Sequence, residues 1–151
     1  MKLPAHEIRE VGPRDGFQNE PETIATDDKI DLINRLAHTG LRHRGRQLRA
    51  TRRHPAAVGR RRGVTWHQVP DYVSLMVLVP NSKGLDNALK VRETFSEVAI
   101  FVSASETHNK KNVNRTIAES MADNEIIAKR IVAEDLRCAA VIATSWLSIR
   151  G

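Results

Sequence analysis

The sequence predicts an α/β fold built on a parallel sheet, and three observations carry that expectation. Apolar runs of strand length at 73–79, 98–102 and 139–143 alternate with helix-period segments. The run Val73–Val79 is nearly continuous, as in a strand buried on both faces. Turn and cap residues, among them Pro80-Asn81-Ser82, punctuate the boundaries. Strand alternating with helix is the signature of βαβ units. In such sheets ligands sit at the carboxyl ends of the strands.

Glu7–Val11 reads as a first short strand, stopped by Gly12-Pro13. Thr26 or Asp27 is placed to cap a helix, with Asp28 in its first turn, where the helix dipole favours negative charge. Ile30, Ile33, Leu36 and Ala37 recur at helical spacing, and Gly40 suits the stop. Leu85–Val91 reads as a short helix. Thr116–Ala133 reads as a long one, with Ile117, Met121, Ile127 and Ile131 as its inward positions. Two strand ends then carry chemistry. Arg14 and Asp15 follow the first strand, and Ser103, Ser105 and Glu106 follow the strand at 98–102.

With 151 residues the chain allows one ordinary domain. No apolar run is long enough to span a membrane, and Met1-Lys2-Leu3-Pro4 does not read as a signal peptide, so a soluble cytoplasmic protein is expected. Cys138 is the only cysteine, which excludes an internal disulfide and a cysteine-cluster zinc site; it reads as a small core residue rather than a nucleophile. The formal charge of +6 is local in origin. Nine of the 24 basic residues are arginines between Arg42 and Arg62, and the remaining 15 face 18 acidic residues. No Asp or Glu occurs from Leu32 to Pro70.

The segment Val11-Gly12-Pro13-Arg14-Asp15-Gly16-Phe17-Gln18-Asn19-Glu20 resembles the signature of hydroxymethylglutaryl-CoA lyases, metal-dependent carbon–carbon lyases built on (β/α)8 TIM barrels. Three further stretches extend the resemblance. They are Asp28–Gly40 with Leu41-Arg42-His43, Val77–Asn81 with Gly84, and Phe101–Asn109 continuing through Lys111–Asn114 to Glu119-Ser120. The resemblance implies a partial TIM barrel of about the first four to five β/α units, because a whole barrel takes about 250 residues. Residues 1–151 are then the N-terminal part of a lyase-like barrel domain that ends prematurely, and its open sheet edges favour self-association.

The resemblance also implies cleavage of 3-hydroxy-3-methylglutaryl-CoA to acetyl-CoA and acetoacetate. Negative charge develops on the thioester oxygen of the departing enolate, and a fixed arginine stabilises it in a dry site. A hard divalent cation, Mg²⁺ or Mn²⁺, polarises substrate oxygens. By resemblance Asp15 is the metal ligand and Arg14 the catalytic, substrate-binding residue. Gln18, Ser103 and Glu106 are further candidates for substrate contacts. Taken outside the motif, an Arg-Asp pair in a turn is a solvated ion pair of about 0–1 kcal/mol, and Ser103–Glu106 is a plain strand-to-helix turn. The family's second-strand glutamate, its later His-x-His pair and asparagine, and its loop cysteine do not appear in this chain, so the chain as written is expected to be inactive.

The arginine block breaks the pattern. The family continues with Ile-Glu-Val-x-Ser-Phe-Val, whereas this chain reads Arg44-Gly45-Arg46-Gln47-Leu48-Arg49. Permitted codons for His43 onward, read one nucleotide later, give Ile-Glu-Val-Ala-Ser-Phe-Val-Arg-Pro. Trp146–Gly151 behaves similarly, and a shifted reading there gives Phe-Gly-Cys-Pro-Tyr-Glu-Gly. Residues 44–68 and 146–151 therefore read as out of frame. The alternative is a noncatalytic fragment whose arginines bind nucleic acid or another anionic surface. Trp66 is nearly the block's only aromatic, and no nucleic-acid motif accompanies it. A solvated loop in a noncatalytic scaffold is the third reading.

Overall fold

Among the described residues four strands lie side by side in chain order, and every neighbouring pair is parallel. They are β1 (Arg44–Arg49), β2 (Ser74–Leu78), β3 (Glu97–Ser103) and β4 (Arg137–Ala143). The computed structural model describes residues 10–22, 24–39, 44–49, 70 and 73–144. Helices α1 (Phe17–Asn19) and α2 (Thr26–Ala37) precede β1; α3 (Ser82–Leu89) links β2 to β3; α4 (Glu106–Val113) and α5 (Ile117–Ala133) link β3 to β4.

The two sheet faces are filled differently, and this identifies the architecture. On one face Leu75, Val77, Val79, Val98 and Ile100 pack with Ile33 of α2, Leu85 and Ala88 of α3, and Ile127 and Ile131 of α5. On the other face Met76, Leu78 and Ala99 pack with Phe101 and Ala139, and among the described residues the hydrophobic members of this cluster all lie on strands. A parallel sheet must bury both faces. Helices on one side, strand side chains on the other and a strand order that never reverses describe a partial (β/α) barrel, in which the strand-only face is the barrel interior. A doubly wound sheet would reverse its strand order and carry helices on both faces.

The sequence-derived elements reappear with shifted limits. The α2 helix begins earlier than expected, with Ala25 as N-cap and no side-chain cap, so neither Thr26 nor Asp27 fills that role. Its inward residues are Ile30, Ile33 and Ala37, with Leu36 half-buried. In α5 the buried stripe is Ser120, Asn124, Ile127 and Ile131. Met121 is 53% exposed, which corrects its assignment as an inward residue. Two buried polar side chains take the upper part of the stripe because each has a partner: Asn124 Nδ2 donates to Phe101 O at 3.0 Å, and Ser120 Oγ accepts from Asn109. Cys138 is exposed on β4, a second correction; burial, then the charge of Glu97, pushes its thiol pKa up, so it stays protonated at neutral pH. The first strand, Glu7–Val11, lies outside the described residues except Glu10, which makes a single β-bridge, and Val11.

The block that breaks the family pattern contributes a strand. Arg44–Arg49 pairs with β2 in parallel, Leu48 beside Val77 and Arg49 beside Leu78, with the register interrupted between Arg44 and Gln47. Backbone N–H and C=O groups form the ladder whatever the side chains are. Residues 50–69 and 145–151, where the rest of the two out-of-frame segments falls, lie outside the described residues.

Local chemistry sets the helix starts that face the strands' carboxyl ends. Asn81 caps α3 by accepting from Gly84 N at 2.8 Å. A Cβ on Gly84 would meet the Pro80 ring at 2.9 Å, so the tight Pro80–Gly84 entry requires glycine. Thr116 and Glu119 close a capping box on α5.

Two outcomes follow from this packing. Ile127→Ala empties a fully buried site and is expected to cost about 2–5 kcal/mol in urea denaturation. Loss of less than 1 kcal/mol would show that α5 is not seated on the sheet. The Thr116 backbone N–H, then its hydroxyl, holds the Glu119 carboxyl below the usual carboxylate range. A depressed carboxyl stabilises the fold above its ordinary pKa and loses that contribution as pH falls through its folded value. The stability-versus-pH curve of Glu119→Gln is therefore expected to fall less steeply on the acid side than that of the parent.

Candidate active site at the carboxyl ends of the strands

Arg14 and Asp15 sit in one turn of π-helix, Gly12–Gly16, which packs beside β1 and runs into α1. Pro13 fits the first turn, where an N–H would lack a partner, and is buried. The turn closes through Arg14 N and Asp15 N, which donate to Val11 O at 2.9 and 2.7 Å. Gly12 N donates to Glu10 Oε1 at 2.7 Å and fixes the approach. Single-turn π-helices occur frequently at functional sites.

The adjacent side chains form an ion pair through Arg14 Nη1 and Asp15 Oδ1. The arginine side chain is 19% exposed and the aspartate 42%. Arg14 Nε is buried with no hydrogen-bond partner among the described residues. An orphan donor beside a half-open carboxylate can accept an oxygen-bearing ligand, because a buried N–H without a partner costs about 1–3 kcal/mol. Gln18 lies in α1, next to this turn, and the position of its side chain is outside what the structure describes.

A second constellation forms where β3 ends. Ser103 follows Ala99 and Phe101 on the interior face by strand alternation and is 2% exposed. Its Oγ meets Thr144 Oγ1 at 2.7 Å, His108 Nδ1 at 3.1 Å and Ser105 N at 3.2 Å. Asn109, 1% exposed, holds the turn together. Its Oδ1 accepts from Ser103 N at 3.1 Å, and its Nδ2 reaches Arg115 O, Thr116 O and Ser120 Oγ at 2.9, 3.1 and 2.7 Å. Glu106 is used locally, since its Oε2 accepts from Ile117 N, the first residue of α5, at 3.0 Å. Of the sequence-derived candidates, Arg14 and Asp15 are thus joined in one turn, whereas Ser103 belongs to a separate cluster and Glu106 to a helix start.

Sequence reasoning did not single out Asn109 and Thr144. Asn109 stood within the Ser103–Asn109 motif, and its polarity before a helix was the available signal. Thr144 gave none, because its partner Ser103 lies 41 residues away.

A metal requires several oxygen or nitrogen donors. Asp15 provides one carboxylate of the hard-oxygen type that Mg²⁺ and Mn²⁺ prefer. Among the described residues no group of three or more His, Cys, Asp or Glu side chains is placed to hold an ion. The fit is therefore that of one ligand, and no chemical step is assigned to a metal here.

Comparison with known proteins decides the ancestry. The chain is 43% identical over 124 residues to hydroxymethylglutaryl-CoA lyase YngG of Bacillus subtilis, a match covering 76% of this chain and 38% of the relative. It superposes on a crystal structure of the Bacillus subtilis HMG-CoA lyase with a TM-score of 0.78 and 37% identity, covering 94% of this chain and 47% of the other. This chain belongs to the hydroxymethylglutaryl-CoA lyase family. An HMG-CoA lyase from Acinetobacter baumannii, solved in complex with coenzyme A and 3-methylmalate, is similar at 28% identity with a TM-score of 0.77, covering 96% of this chain and 47% of that one. No family model matches the chain. The chain spans less than half the length of these HMG-CoA lyases and corresponds to the N-terminal region of the family. The comparisons lend no support to the anionic-surface alternative. No described helix is long and apolar enough to cross a membrane.

Removing the Asn109 amide should be felt locally and globally. Asn109→Ala is expected to cost about 2–3 kcal/mol, since it strands buried donors and acceptors. Amide hydrogen exchange at Ser103 should quicken in step. An unchanged Ser103 exchange rate would show that Asn109 does not hold the β3 end.

Proposed function

We propose that this chain carries the arginine–aspartate corner of a metal-dependent lyase site acting on a 3-hydroxyacyl-CoA thioester, in the manner of 3-hydroxy-3-methylglutaryl-CoA cleavage. The observation that carries the reading is the Arg14–Asp15 pair in a π-turn beside β1, with Arg14 Nε buried and unpartnered among the described residues. Arg14 binds the thioester oxygen and stabilises the negative charge that develops there when the carbon–carbon bond breaks. Its burial strengthens that interaction by lowering the local dielectric. Asp15 would be one ligand of a divalent cation such as Mg²⁺ or Mn²⁺, which would supply Lewis-acid polarisation of the substrate's hydroxyl and carboxylate oxygens. Gln18 and Ser103 are the remaining candidates for polar contacts. Glu106 is a weaker one, because its carboxylate already serves α5. The similar lyase crystallised with coenzyme A supports a CoA thioester as the substrate class.

The strand Arg44–Arg49 bears on activity. It occupies the place next to Arg14 and Asp15 where the family's Ile-Glu-Val strand is expected, yet it offers no carboxylate. A one-nucleotide offset of the coding register over 44–68 accounts for a strand position filled by arginines. Sequencing of the gene tests it directly: confirmed codons, with no family-like reading in another frame, would remove the offset.

With one carboxylate the cation stays largely hydrated. Mn²⁺ is expected to bind the 151-residue chain with a dissociation constant of ~1 mM or weaker, and Asp15→Ala should weaken it further by at least about tenfold. Paramagnetic relaxation of water protons measures this. No acetoacetate should form from 3-hydroxy-3-methylglutaryl-CoA with Mg²⁺ present. Turnover by this chain that disappears in Asp15→Ala would show that the site is complete.

A further inference from the structure

The hydroxyl chain at the end of β3 determines which nitrogen of His108 carries the proton. A carbonyl oxygen only accepts, so the 2.6 Å contact of Thr144 Oγ1 with Ala143 O commits the Thr144 hydroxyl hydrogen there. The 2.7 Å contact between Ser103 Oγ and Thr144 Oγ1 then needs its hydrogen from Ser103. With that hydrogen used, Ser103 Oγ can only accept from its other partners. One is the Ser105 backbone N–H at 3.2 Å, a donor by nature. The other is His108 Nδ1 at 3.1 Å, which must therefore carry a hydrogen. A neutral imidazole has one N–H, so Nε2 is left with a bare lone pair. Ser103 is buried and Asn109 fixes its backbone, while the His108 ring lies in an exposed residue. The acceptor thus belongs to an exposed residue at the end of the sheet where ligands bind in this architecture.

We infer that Ser103 and Thr144 lock His108 as its Nδ1–H tautomer, so that Nε2 serves as a fixed hydrogen-bond acceptor for an O–H or N–H donor of the bound thioester. This rests on the acyl-CoA reading above and extends it to a ligand-contacting residue outside the Arg14–Asp15 pair. The donor has two sources in such a ligand, the tertiary hydroxyl of the acyl group and the amides of the pantetheine arm. The backbone of Thr144 supports the same reading. Its φ of 60° is a left-handed conformation costly for a β-branched residue, and it keeps the hydroxyl over both Ala143 O and Ser103 Oγ.

Long-range ¹⁵N–¹H correlation spectra of the histidine-labelled 151-residue chain, at a pH where the ring is neutral, read the tautomer without any ligand. The expected result is a bare Nε2. Thr144→Gly, which suits the left-handed backbone and removes the hydroxyl, should free Ser103 to donate to Nδ1 and move the bare nitrogen to Nδ1. A wild-type ring protonated on Nε2, or a tautomer unmoved in Thr144→Gly, overturns the inference. Titration with 3-hydroxy-3-methylglutarate, which has the hydroxyl and no amide, and with coenzyme A, which has the amides and no acyl hydroxyl, locates the donor. The probe that shifts the Nε2 resonance should lose roughly fivefold to tenfold in affinity in His108→Ala, about one hydrogen bond. If the Arg14 and Asp15 amides respond to a probe while Nε2 does not, the ligand role of His108 fails and the lyase reading stands. If neither responds at the solubility limit of both probes, both fail.

Discussion

Everything in this structure depends on the requirement that a parallel sheet be covered on both faces. The β2–β3 pair meets it with two unlike layers. Leu75, Val77, Val79, Val98 and Ile100 are sealed by α2, α3 and α5, and Met76, Leu78 and Ala99 are sealed by neighbouring strands. Each helix returns the chain to the same end of the sheet before the next strand begins. The strands' carboxyl ends, with the turns that follow them, are consequently collected at one rim. Asn81–Gly84 and Ser103–Asn109 are both rim segments.

The rim is rigid where polar groups are satisfied and chemically available where they are not. Asn109 ties β3, the α4–α5 connection and Ser120 through a single buried amide. Asp123 joins Ser82 at the start of α3 to Arg115 before α5, at 2.9 and 2.6 Å. These links leave the β3 end little freedom, and that is what allows a tautomer at His108 to be determined by hydroxyls at Ser103 and Thr144. Arg14 is the contrast: its Nε remains without a partner among the described residues. A buried guanidinium nitrogen kept open is an expense for the fold, and a ligand oxygen removes it.

Much of the fold could be read from local patterns. Continuous apolar runs marked β2 and β3 because a doubly covered strand has no polar face, and a similar run marked β4, most of whose residues are exposed. Periodicity marked α2 and α5. The failures have physical causes. Met121 lies one position from the buried Ser120, and the inward stripe was settled by which side chains found polar partners on β3 and α4. Arg44–Arg49 has no strand-like side-chain pattern, and its pairing with β2 comes from backbone hydrogen bonds that are indifferent to sequence. Glu106 accepts from the first N–H of α5, a partner eleven residues away that local pattern does not reveal.

The sequence by itself determined the α/β class, the family and the Arg14–Asp15 pair, because these reside in local order: alternating periodicities and adjacent residues in one turn. Tertiary structure alone decided the rest. It separated a helix-covered face from a strand-only face, which makes the sheet a portion of a barrel. It also brought Thr144 to Ser103, and so selected the nitrogen at which His108 is protonated. Those outcomes depend on contacts between residues far apart in the chain, whose distances are set by how the helices pack the strands together.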